Sequence, residues 1–235
     1  MPNHEPLADG AIAYRAARRW PLISAGLAVL LTGLLAALIF YREHDRPFGF
    51  DTAWMNEVVE HRSMFWLVPS LVMNSLGGGI VGTIVVPLIV FVALLVRRGR
   101  WAATYFAIAA PLSGLLVQIL KNAVGRPRPL EILVNADFGS FPSGHSANAA
   151  TTAVVLAIVF PLWWVRVAGA FYTVAMMLSR TYLGAHWISD TVGGLLLGAG
   201  VALIVWAPLA VRLHTERVSS PPPLWRRVAR RRALG

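Results

Sequence analysis

The stretch WPLISAGLAVLLTGLLAALIFY, Trp20 to Tyr41, runs for 22 residues without a charge. At 1.5 Å of rise per residue it makes a helix of about 33 Å, enough to cross a hydrocarbon core of about 30 Å. A signal peptide is the competing reading. However, 19 residues precede the run and no small-residue cleavage pattern follows it, so a retained span is expected. The rest of the chain repeats the pattern. Uncharged runs cover Ser63–Val96, Trp101–Leu120, Ser146–Leu162, Val167–Leu183 (with Arg180 near its end) and Thr191–Val211. The 34-residue run Ser63–Val96 is too long for one crossing. Pro69 and Gly77-Gly78-Gly79 should divide it into an interfacial or bundle-packed piece, Ser63–Ser75, and a span, Gly79–Val96. The expected fold is therefore all-α, a polytopic membrane bundle of six transmembrane helices.

Composition agrees. Of 235 residues 57% are apolar and 14% charged, whereas soluble domains carry about a quarter charged. There is no cysteine, which excludes a disulfide scaffold, a thiolate zinc site and a cysteine nucleophile. The net charge of +10 sits in short clusters between apolar runs, not on an aromatic-interleaved face, so no nucleic-acid partner is expected. Six crossings place both termini on one side. That side holds Arg15, Arg18, Arg19, Arg97, Arg98, Arg100, Arg166 and every arginine from Arg212 onward, fourteen of the 21 basic residues. By the positive-inside rule the termini are cytoplasmic, and the cluster Arg226–Arg232 reads as a topology anchor that touches anionic lipid.

The other basic residues face outward: Arg42, Arg46, Arg62, Lys121, Arg126, Arg128 and Arg180. Four of them crowd the outer ends of the third and fifth spans, at the depth of His145, His186 and Asp190. In KNAVGRPRP (Lys121–Pro129) three cations within eight residues repel one another unless an anion neutralises them. Arg126 fits snorkelling to headgroups. Arg128, held extended between Pro127 and Pro129, fits a phosphate better, as a planar fork with the Lys121 ammonium nearby. In FPSGHS (Phe141–Ser146), Ser143 or Ser146 can cap the following helix, whose free N–H groups make an anion site, and Gly144 allows close approach. In SRTYLGAHWISD (Ser179–Asp190), His186 and Asp190 stand four apart. On one helix face they can hydrogen-bond, leaving the other imidazole nitrogen free to attack. A two-histidine, one-carboxylate metal site is the alternative, and the surrounding cations oppose it. Arg42–Arg62, with Phe48, Phe50, Trp54 and Met55, reads as an interfacial helix or a flap over the site.

Together these stretches resemble the signature of the type 2 phosphatidic acid phosphatase family, relatives of the vanadium haloperoxidases. That signature is K-x6-R-P, then P-S-G-H, then S-R-x5-H-x3-D. It is filled here by Lys121, Arg128-Pro129, Pro142-Ser143-Gly144-His145, Ser179-Arg180, His186 and Asp190. The resemblance implies an acid phosphatase/vanadium haloperoxidase-like bundle and a metal-independent, cofactor-free lipid phosphate phosphatase. His186 would be the nucleophile, forming a phosphohistidine. Asp190 would orient it, and His145 would protonate the leaving oxygen and then activate water. Lys121, Arg128 and Arg180, with the Ser143 and Gly144 N–H groups, would hold the phosphoryl oxygens. Implied substrates are undecaprenyl diphosphate, phosphatidylglycerol phosphate and phosphatidic acid. A phosphotransferase using the same site, and a non-enzymatic transporter or binding bundle for anionic lipid, are the alternatives. The expected division is residues 1–19 as a cytoplasmic segment, 20–211 as the six-span phosphatase domain of the cell (inner) membrane with its active site extracytoplasmic, and 212–235 as a basic cytoplasmic tail.

Overall fold

The computed structural model describes residues 6–42 and 47–219. Arg46, the Pro221–Pro223 run and the cluster Arg226–Arg232 lie outside the described residues. Among those described there is no strand, and eight α-helices follow one another: α1 Pro6–Tyr41, α2 Gly49–Glu60, α3 Met64–Gly77, α4 Val86–Arg97, α5 Arg100–Val124, α6 Gly144–Val159, α7 Trp163–Tyr182 and α8 Ile188–Ser219. A π-helical turn, Val81–Val85, leads into α4. Regular helix thus begins at Pro6 and runs on to Ser219, beyond the outermost apolar runs on either side.

Each uncharged run carries a helix, but not each helix is long and apolar enough to cross a membrane unaided. Three are, at Trp20–Tyr41, Arg100–Val124 and Ile188–Val218, and the pair Met64–Gly77 and Val81–Arg97 makes a fourth if taken as one span bent by 51°. The division of Ser63–Val96 differs from expectation. Pro69 lies inside α3 without breaking it, and the break falls after Gly77, where Gly79 takes φ +58. The reason is local: the residue after α3 is extended, and only glycine enters the left-handed region at little cost. The separate piece, α3, packs along α7. Helix α6 has 16 residues, about 24 Å at 1.5 Å each, less than the hydrocarbon thickness. It lies against α5, α7 and α8, and buries Ala147, Ala149, Ala150, Thr151 and Val155. A helix sheathed by protein along its length need not match the bilayer.

The core lies between α4, α5, α6 and α8, with Leu94, Tyr105, Phe106, Val117, Val155, Leu197 and Val201 buried in it. Outward, Leu27, Leu30, Leu34 and Leu38 of α1 and Leu88, Ile89 and Val92 of α4 are exposed, as lipid-facing positions are. Small residues set how closely α6 and α8 approach. A Cβ on Gly198 would run into the backbone of Ala147, and one on Gly194 into the Ser143 carbonyl oxygen. Thr151 ties the pair by donating to the Gly198 carbonyl at 3.1 Å. We expect Gly198→Leu to destabilise the fold by about 1–3 kcal/mol through overpacking, read as a lower thermal midpoint in detergent. An unchanged midpoint would show that the two helices can part freely.

Candidate active site

Helix α5 delivers Lys121 one turn before its end, where Gly125 (φ +61) returns its N–H to the Lys121 carbonyl at 2.9 Å. The chain then has no regular helix until Ser143 caps α6, its Oγ accepting from the Ser146 N–H at 3.4 Å. This segment carries Arg126, Arg128 and Asp137. A cavity of about 820 Å³ lies beneath it. Lys121, Arg128, Asp137, Gly144, His145, Arg180 and His186 line its polar end, and Ile84, Leu88, Phe91, Phe106 and Val117 line its apolar end between α4 and α5. Six of the eight expected site residues therefore converge here or at its rim, from three separate stretches of chain. Only Ser143 and Asp190 stand behind the wall, both fully buried, and Gly144 marks the rim.

His186 is 2% exposed, in the turn before α8 and not on it. Its Nδ1 lies 2.7 Å from the Ser140 carbonyl oxygen, so Nδ1 carries the hydrogen and donates it there. Nε2 is left as the acceptor, 3.4 Å from Arg128 Nη1, with its lone pair toward the cavity. Burial, and then the charges of Arg180, Arg128 and Lys121, push the imidazole pKa well below its ordinary value, only partly offset by the Ser140 bond. The expected His186–Asp190 hydrogen bond is absent: Nδ1 and Oδ2 are 3.7 Å apart. The cause is the start of α8, where Asp190 Oδ2 accepts the Trp187 N–H at 2.9 Å, an N-terminal capping contact that holds this oxygen near the ring but short of a hydrogen bond to it. Oδ1 accepts instead from Arg126 Nη1 at 2.5 Å. The Ser143 N–H is likewise not open to a ligand, being donated to the Asp190 carbonyl at 2.9 Å.

Arg126 does not snorkel. It is 2% exposed, between the rings of Phe48 and Trp187, and donates to Asp190, to Ser189 Oγ (2.7 Å) and to Asp51 Oδ2 (2.8 Å). Asp51, fully buried in the first turn of α2, also accepts from the N–H and hydroxyl of Ser189. The segment Arg42–Arg62 thus contributes a carboxylate behind the site, an outcome that apolar patterning could not signal. At the cavity's other wall, His145 Nε2 lies 3.1 Å from the Asn74 carbonyl oxygen, while Arg180 donates from Nη1 to Asn74 Oδ1. Gly77 and Gly78 leave room for the His145 ring, which a Cβ on either would meet at about 2.6 Å.

Asp137 was also missed. Its carboxylate accepts from Lys121 Nζ at 2.8 and 2.9 Å and from Arg128 Nη2 at 2.7 Å. Burial favours its protonated form, but the hydrogen bond and charge of Lys121 and the charge of Arg128 outweigh that and hold it below the usual carboxylate range. The signal for it was present in the crowding of cations, which requires an anion. Among the described residues, the group of histidine and carboxylates close enough to share a metal ion is Glu57, Glu60 and His61, exposed at the end of α2. None of the three lines the cavity.

Residues 101–212 match the sequence profile of a family described as the PAP2 superfamily. The lipid A 1-phosphatase of Rhizobium johnstonii is 33% identical over 115 residues, 44% of this chain and 46% of that protein. Phosphatidylglycerophosphatase B of Bacillus subtilis is 33% identical over 157 residues, 62% of this chain and 70% of that one. The chain thus spans about half the length of the first and more than two thirds of the second. A crystal structure of a transmembrane PAP2-type phosphatidylglycerolphosphate phosphatase from Bacillus subtilis superposes with a TM-score of 0.67 at 25% identity, covering 77% of this chain and 94% of that one. With its long apolar helices, this makes the chain a membrane protein.

Proposed function

This chain belongs to the PAP2 superfamily, and we propose that it hydrolyses a terminal phosphate from a membrane lipid through a phosphohistidine on His186. The observation that carries the proposal is the cavity's polarity. A neutral imidazole nitrogen, His145 and three cations stand at one end, and an apolar channel between α4 and α5 at the other. A phosphate would lie at the first while its hydrocarbon tail follows the second. Lys121, Arg128 and Arg180 would hold the equatorial oxygens, with the N-terminal turn of α6 at Gly144 beside them. As the Nε2–P bond forms, the P–O bond to the lipid breaks and the leaving oxygen takes a proton from His145. His145 must enter that step as the imidazolium and leave it as the neutral imidazole, and the Asn74 carbonyl, 3.1 Å from Nε2, supports the protonated form. Water, deprotonated by His145, then attacks the phosphohistidine and frees phosphate and His186. Asp190 acts at a distance, fixing the start of α8 and hence the turn that presents His186.

The topology proposed is six crossings, by α1, the bent pair α3–α4, α5, α6, α7 and α8, across the cell membrane. Both termini are placed in the cytoplasm and the site outward, a reading the arginine distribution supports. Residues 20–211 form the phosphatase domain, flanked by a cytoplasmic segment and a basic cytoplasmic tail. Substrates of this class are phosphatidylglycerol phosphate, phosphatidic acid and undecaprenyl diphosphate. The test is phosphate release from a panel of these by the purified protein with chelator present. Failure on every member, or strict dependence on a divalent metal, overturns the reading.

The same geometry fixes a pH dependence. Because burial and neighbouring cations depress the His186 pKa, the nucleophile stays neutral as pH falls through the ordinary imidazole value of about 6.5. The acid limb of kcat/KM is expected below that value. A limb at or above it, removed by substituting His186, would contradict the assignment.

A further inference from the structure

Two of the cavity's cations already hold an anion, and it belongs to the protein. Lys121 and Arg128 have side chains only 5% and 13% exposed, and both give their hydrogens to Asp137, whose own side chain is 55% exposed. The same Arg128 guanidinium reaches His186 Nε2 at 3.4 Å, so the carboxylate occupies the donors that a phosphoryl group bonded to His186 would need. We propose that Asp137 sets the affinity of the phosphate seat, as a built-in competitor that must leave its two cations before any lipid phosphate can bind. The inference rests on the lipid phosphatase reading and deepens it.

The exchange requires little rearrangement. The backbone at Asp137 is pinned, since its carbonyl accepts from Arg128 Nε at 3.0 Å and the Gly139 carbonyl from Arg128 Nη2 at 2.8 Å. Only the side chain need rotate, toward water that it already meets. The competition raises every anion's apparent dissociation constant by the same factor, the reciprocal of the fraction of time the seat is open. A terminal phosphate, with close to two charges and three oxygens, has the interactions to overcome that factor. A phosphodiester headgroup has one charge, and the bilayer presents it at far higher concentration. The competing carboxylate therefore sets a threshold that weakly held phosphodiesters do not reach, and on its return it displaces the phosphate product from a seat lined by cations.

The test compares wild type, Asp137→Asn and Asp137→Glu in detergent micelles. Two quantities are read: binding of orthovanadate, followed by thermal shift, and inhibition of lipid-phosphate hydrolysis by inorganic phosphate and by short-chain phosphatidylglycerol. Asp137→Asn is expected to bind orthovanadate about tenfold more tightly and to become sensitive to both inhibitors by a similar factor. Asp137→Glu, which keeps the charge next to Lys121, should return toward wild type. Equal or weaker anion binding in Asp137→Asn overturns the proposal alone, as a purely structural ion pair would give. Absence of orthovanadate binding in all three proteins, with no hydrolysis by wild type, overturns the phosphatase reading with it. If Asp137→Asn fails to fold, Asp137→Ser decides: removing the carboxylate must tighten orthovanadate binding and raise phosphatidylglycerol sensitivity in step, and no change, or independent movement of the two, overturns the competition.

Discussion

His186→Ala is expected to lower kcat for lipid-phosphate hydrolysis by at least about 10³-fold, the scale on which removal of a covalent nucleophile acts. The expectation follows from what the ring is built to do. A buried imidazole that served only packing would have both nitrogens satisfied by the protein. Here Nδ1 donates to the Ser140 carbonyl at 2.7 Å, while Nε2 is turned to the cavity's cations, with a long 3.4 Å contact to Arg128 Nη1 that a phosphoryl group can replace. Burial and three nearby cations keep the ring neutral, the form that attacks, so the lone pair is available without a base to remove a proton. The measurement is phosphate released from a short-chain lipid phosphate under saturating conditions. Orthovanadate binding, which depends on the cations, should survive in the variant and show that the seat is intact. Retention of more than a few per cent of kcat would assign the nucleophile elsewhere.

How far the chain could be read before its structure depended on the kind of interaction. Apolar runs report burial or lipid contact, and each of them does form a helix, so the all-α bundle was legible from Trp20–Tyr41 onward. Which helices suffice to cross a bilayer was not. The short α6 is sheathed by its neighbours, and hydropathy does not distinguish lipid from protein as the apolar partner. The residues that gather around the cavity were legible because three cationic or histidine-bearing stretches lay at one expected depth. Their pairing was not. Nothing in the spacing of His186 and Asp190 shows that Asp190 caps α8 and leaves the imidazole to a backbone carbonyl. Carbonyl partners such as those of Ser140 and Asn74 are invisible in side-chain patterns. Asp51 lies 75 residues from Arg126, inside a segment whose aromatic residues suggested only an interface.

Arg126 supplies the second large effect, and a measurement that separates two readings of one side chain. A snorkelling arginine at a headgroup boundary contributes about 0–1 kcal/mol, and its loss would barely register. In the fold Arg126 is 2% exposed and stands between two fully buried carboxylates, Asp51 at 2.8 Å and Asp190 at 2.5 Å. Arg126→Met keeps the length of the stem but leaves both acids without a charged partner, and breaking a buried pair in this way costs about 3–5 kcal/mol. The expected result is a large fall in thermal midpoint in detergent. Activity should fall with it, because Asp190 fixes the turn that carries His186. Asp51→Asn removes one of the stranded charges in advance. Combined with Arg126→Met it should therefore lose less than the two single losses added together, a coupling of the sign that residues sharing a network show. Additive losses would mean that α2 and the start of α8 are held independently. A midpoint unmoved by Arg126→Met would return the residue to the membrane surface and detach α2 from the wall of the cavity.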